Sequence, residues 1–228
     1  MTKVFPNNVS ERLNSTPCSP NGNGNGNGDA AILTVWKKSL LLNCNGFTVF
    51  DCKGNLVFRV DNYLAGHKGE IVLMDAGGKP LLTIRRKRLS LGDNWLVYDG
   101  ETAVNPRFFV RKQVNILNTK CLAHVSSGSN SNNDNDEESG NITCSSSSTT
   151  GKNLLYQIEG SYTQRCCAVL NKKRRRVAEI QRKESVGGVT FGLDVFRLVV
   201  QPEIDAPLAM ALVILLDQMF GSSKRLSH

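Results

Sequence analysis

The sequence predicts a mainly β protein, an antiparallel barrel closed around one hydrophobic α-helix near its C-terminus. Residues 205–221 carry a helix signal with no polar side until Asp217. A helix that is apolar all round has to be surrounded, by protein or by lipid. Its unbroken apolar run, residues 206–216, is far shorter than the roughly 20 residues that cross a bilayer. Almost everything before it divides into short apolar segments at near-regular spacing, separated by turn residues. The helices that a parallel sheet needs between its strands are missing from the pattern.

The elements follow in order. The folded part opens near Ile32. A hairpin joins residues 47–50 to 56–60 through a turn at 51–54, and a second joins 70–75 to 80–84 across 76–79. Glycine in both turns supplies the positive φ that tight connections need. Strands continue at 95–98 and 107–110, and the chain returns near Leu122. Residues 154–159 alternate, with Leu154, Tyr156 and Ile158 expected inward and Gln157 and Glu159 outward. Residues 165–170 run into a basic turn at 171–176, and 177–180 return from it; 189–191 and 194–200 end the series. Asp205 suits the helix N-cap, Pro207 its first turn and Gly221 the position just past its end.

The expected organisation is a tail over residues 1–30, a barrel domain over 31–221 and a short tail over 222–228. The first tail ends in an Asn-Gly repeat with no side chains to pack, so disorder is expected there. A Ser/Asn-rich polar segment at about 126–151 is an insertion within the domain. It holds Asp134, Asp136, Glu137 and Glu138, and leaving these four acids out raises the net charge from +8 to +12. A basic body favours anionic partners, although basic solvated strand faces give the same balance. The seven cysteines are odd in number and include no Cys-x-x-Cys, so neither a disulfide framework nor a zinc site is indicated. The N-terminus lacks the apolar core of a signal peptide. The expected location is cytoplasmic, at the inner face of the plasma membrane or in the nucleus, without secretion or a transmembrane span.

The sharpest charge feature is Lys172, Lys173, Arg174, Arg175 and Arg176, consecutive between two strands. As a hairpin tip it would press cations on an anionic membrane, each worth about 1 kcal/mol near the surface. The same run fits nuclear import or nucleic-acid contact, or an ordinary solvated turn. A second run, Arg85, Arg86, Lys87 and Arg88, follows another strand. The two would form one patch only if they shared an end of the barrel. Direct nucleic-acid binding is disfavoured, because neither run has interleaved aromatics to stack bases.

Catalysis has little support in the sequence. His67, His124 and His228 have no nucleophile beside them in a recognisable motif, and no phosphate-cradling loop appears. No cofactor, metal site or catalytic residue is assigned. Residues 134–138 offer oxygen ligands without the spacing of a calcium-binding loop.

Residues 54–63, 72–86, 95–101, 177–183, 191–196 and the closing helix through 215–219 resemble the plant LURP-one-related family. The resemblance covers roughly residues 30–220 outside the polar insertion. It implies a Tubby-like C-terminal fold, a closed barrel of about twelve strands around one hydrophobic helix, shared with phospholipid scramblases. Tubby-type relatives imply phosphoinositide contact, and the family implies a non-enzymatic regulatory module associated with plant stress and defence. The functional expectation is therefore a module tethered to anionic phospholipid. The alternatives are a protein-interaction scaffold that never meets lipid and, remotely, an enzyme using the barrel mouth.

Overall fold

A computed structural model describes residues 29–41, 45–62, 70–87, 93–101, 104–113, 120–128, 153–184 and 191–221. The N-terminal tail, most of the polar insertion and the C-terminal tail lie outside them. Twelve strands precede one helix: β1 (Ala31–Trp36), β2 (Asn45–Phe50), β3 (Leu56–Asn62), β4 (Glu70–Asp75), β5 (Pro80–Arg86) and β6 (Asn94–Asp99). Then come β7 (Phe108–Lys112), β8 (Cys121–Ser127), β9 (Leu154–Ser161), β10 (Cys166–Asn171), β11 (Arg176–Arg182), β12 (Val195–Val200) and α1 (Ala206–Phe220). Each strand pairs antiparallel with its neighbours in sequence, and β12 pairs with β1 from Ala31↔Val200 to Trp36↔Val195. Closure removes the two outer edges that an open sheet would have.

Strand alternation sends Leu33, Val35, Val49, Phe58, Leu73, Ile84, Val97, Val110, Val125, Ile158, Val169, Ile180, Phe196 and Leu198 to the interior. There they enclose α1, whose residues Leu208 to Leu216 are all buried. Burying each such Leu or Ile contributes roughly 1.5–3 kcal/mol relative to leaving it in water. The strand directions define two rims. α1 begins at the lower rim, with the β2–β3, β4–β5 and β10–β11 turns, and ends at the upper rim, where β5 and β7 finish. At that end Lys112 donates from Nζ to the Met219 carbonyl at 2.8 Å and lies over the Phe220 ring at 4.6 Å.

Three lower-rim hairpins share one turn. In residues 51–55, 75–79 and 171–175, the N–H of the first residue bonds the carbonyl of the fifth, and the N–H of the fourth bonds the carbonyl of the first. The side chains of Asp51, Asp75 and Asn171 accept backbone N–H groups inside their own turns. The fourth position needs positive φ: Gly54 has 83°, Gly78 has 90°, and Arg174 has 61°. A register shift beside each turn adds the bulge that completes the design.

Several local expectations change. Asp205 makes no side-chain cap bond; its Oδ2 lies 3.5 Å from Arg107 Nη1 instead. Gly221 does follow the helix, but with φ of −66°, not a left-handed one. It is needed because a Cβ there would meet the Asp217 carbonyl oxygen at 2.4 Å. Pairing jumps from Val125↔Tyr156 to Ser126↔Leu154, so a bulge turns Leu155 and Tyr156 toward the core in place of Leu154. Strand β8 runs through Ser127, so Ser126 and Ser127 belong to the barrel and not to the insertion. Arg165 precedes β10 in a turn, with φ of 53°. Of the expected strand at 189–191, Val189 and Thr190 lie outside the described residues and Phe191 is not in a strand.

Candidate functional site

The β10–β11 tip is cationic in sequence and largely paired in space. Arg174 Nη1 meets Glu159 at 2.8 Å and Gln157 at 3.2 Å. Arg175 reaches Glu203 at 3.1 Å, and Arg176 reaches Glu179 at 3.5 Å. Lys172 and Lys173 are exposed, and among the described residues neither meets a carboxylate. These pairs are exposed and weak, about 0–1 kcal/mol each, so they dilute the local field without locking the tip.

The second run lies at the opposite end. Arg85 pairs with Glu70 at 2.7 Å and Arg86 with Asp93 at 2.5 Å, while Arg88 lies outside the described residues. β5 finishes at the upper rim and the β10–β11 turn is at the lower, so the two runs do not form one patch. Lys87 is different: it lines a groove on the outer face of β6 to β9.

That groove has a volume of about 300 Å³ and is lined by Lys87, Phe109, Arg111, His124, Ser126 and Leu154, among others. Arg111 lies directly across from His124, and Phe109 from Ser126. Gln113 Nε2 donates to His124 Nδ1 at 2.9 Å, which leaves the proton of the neutral ring on Nε2. Burial first, and then the adjacent Arg111 charge, hold the His124 pKa below the usual histidine value. Among the described residues no carboxylate pairs with Lys87 or Arg111.

A third surface gathers apolar side chains. Trp36, Leu40, Leu41, Phe191 and Leu193 are exposed, from 36% at Leu41 to 51% at Leu40. All five lie at the upper rim around β1 and β12; Val104, also exposed, lies at the lower rim. Lys38 sits 5.1 Å from the Trp36 ring centre and Lys183 5.3 Å from that of Phe191. Among the described residues Lys38, Arg182, Lys183 and Arg197 have no carboxylate partner. Beneath this surface the helix end is tied down: Asp217 meets Lys37 at 2.8 Å and accepts from the Tyr162 hydroxyl at 3.1 Å. Arg165, 5% exposed, is held between the Tyr162 and Phe196 rings at 4.2 and 4.4 Å, donating to the Leu193 carbonyl at 2.7 Å.

The LURP-one-related family model matches residues 31–217, from the first strand into the enclosed helix. The chain belongs to the LURP-one-related family. LURP-one-related 8 of Arabidopsis thaliana is 50% identical over 230 residues, covering 98% of this chain and all of the relative. LURP-one-related 17 of the same plant is 43% identical, covering 83% of each. An Arabidopsis thaliana protein of known X-ray structure shares the fold, with a TM-score of 0.56 at 22% identity, covering 83% of this chain and 90% of that one.

Within this LURP-one-related barrel, the bases are visible in the sequence but neither grouping is. Arg111 and His124 sit in different strands, and only their pairing brings them beside Lys87. The upper-rim apolar residues come from segments far apart in sequence, and the one available signal was that Trp36 and Phe191 stand next to connections. Adjacent Cys166 and Cys167 split across the wall as alternation requires, exposed and buried respectively, and burial pushes the Cys167 thiol up to about 12. Among the described residues no three His, Cys, Asp or Glu side chains gather as a metal site, and no helix is long and apolar enough to cross a membrane.

Proposed function

We propose that the protein is a peripheral binding module whose upper rim docks on an anionic phospholipid surface. One observation carries this reading: five exposed apolar side chains share that rim with bases that have no carboxylate partner among the described residues. Trp beside Lys suits the interface, where the ring lies at headgroup depth and the ammonium reaches phosphate. The β10–β11 tip supports the reading less well, because three of its five bases already face carboxylates. Family membership supports a regulatory task, linked to plant stress or defence, over a catalytic one.

Flotation with vesicles of neutral phosphatidylcholine, alone or mixed with phosphatidylserine or a phosphoinositide, tests it over a series of salt concentrations. Binding is expected only to the anionic vesicles, and weaker as salt rises. Lys38→Glu with Lys183→Glu should weaken it by roughly 25-fold or more, since each lost base is worth about 1 kcal/mol, roughly fivefold. Lys172→Glu with Lys173→Glu should leave most of it. The reverse ranking would move the contact to the hairpin tip. No binding at low salt would favour a protein partner for the same rim.

A further inference from the structure

We infer that the groove across β6 to β9 is a binding site for a small organic anion, a carboxylate or phosphate head on an apolar body. It is a different surface from the upper-rim apolar patch, so this inference stands apart from the membrane reading. The groove combines two chemistries along one wall. Toward the upper rim, Lys87, Arg111 and the neutral His124 supply a point charge, a bidentate fork and a neutral donor. Toward the lower rim, Phe109 and Leu154 supply an apolar bed, with the Ser126 hydroxyl between. Leu154 is there only because the bulge at Ser126 turns it outward. About 300 Å³ lies at the small end of ligand sites, which suits a compact ligand better than a whole phospholipid.

Among the described residues the nearby acids are engaged elsewhere: Asp93 with Arg86 and Lys112, and Glu159 with Arg174 and Gln157. His124 is faced by Arg111 from β7, Gln157 from β9 and Gln113 beyond the end of β7. None of these is an acid that would draw a proton onto the ring. Neutral near pH 7, the ring gains charge as pH falls below the ordinary histidine range. A bound anion favours that charge, so binding should tighten on acidification.

Isothermal titration of the full chain tests this with three probes of one shape: 2-naphthoate, 2-naphthyl phosphate and neutral 2-naphthamide. At least one anion should bind about tenfold or more tighter than the amide, and the stronger anion identifies the head. Arg111→Gln and Lys87→Gln should each weaken the anion about tenfold; both replace outward side chains, and a wild-type melting curve checks the fold. Wild-type 2-naphthoate binding should strengthen between about pH 7.5 and about pH 5.5, and His124→Gln should flatten that slope. Amide binding as tight as the anions, unchanged affinity in Arg111→Gln, or no heat from any probe would overturn the inference.

Discussion

Arg174 illustrates how little a residue's type says about its work. In sequence it is the middle of five bases. In the fold it occupies the turn position that Gly54 and Gly78 fill in the sister hairpins, with φ of 61°. The left-handed region costs a side-chain-bearing residue roughly 1–2 kcal/mol, and the exposed pair with Glu159 returns about 0–1. Arg174→Gly should therefore raise stability by about 0.5 kcal/mol, whereas Arg174→Ala, which keeps the strain and loses the pair, should lower it by up to about 1 kcal/mol. Urea midpoints decide: a glycine variant less stable than wild type would mean that the ion pair outweighs the backbone. Leu154 makes the same point. Its alternation with Tyr156 and Ile158 was legible, but one bulge reversed its face.

Among the elements, α1 was the most legible, because an unbroken apolar run leaves few alternatives. Its surroundings settle its role: Leu212 is 1% exposed and the wall closes around it. Leu212→Asp would bury an unpaired carboxylate, a penalty of several kcal/mol against a total stability of about 5–15. The expected result is loss of near-ultraviolet circular dichroism and of any cooperative melting transition, with Leu212→Met retaining both. A cooperatively folded Leu212→Asp variant of wild-type stability would be incompatible with enclosure. The helix ends were less legible. Asp205 turned to Arg107 instead of capping, and Asp217, the first polar residue, became the tie to Lys37 and Tyr162.

For the whole molecule, the distribution of charge matters more than its total. The described residues of the two basic runs lie toward opposite rims, and carboxylates pair with three bases of the first and two of the second. The two tryptophans give this scale its own measurement, since Trp36 is 38% exposed at the upper rim and Trp95 is 3% exposed in the wall. On anionic vesicles the emission should shift to the blue, and brominated lipid chains should quench it. Trp36→Phe should remove both responses while leaving the Trp95 signal unchanged. A dye attached at Lys172→Cys, in a chain whose exposed native cysteines (Cys52 and Cys166 among the described residues) are replaced by Ser, should stay in water. Shielding of that dye with no change at Trp36 would reverse the orientation.

Periodicity, turn chemistry and one apolar helix were enough to specify a closed barrel and most of its strand limits, because these signals are local and repeat with the backbone. Which side chains meet was decided only by closure and register. Arg111, His124 and Lys87 converge, and the two basic runs separate, through strand pairing that a one-residue bulge can alter. A linear chain carries no local mark of such distant neighbours.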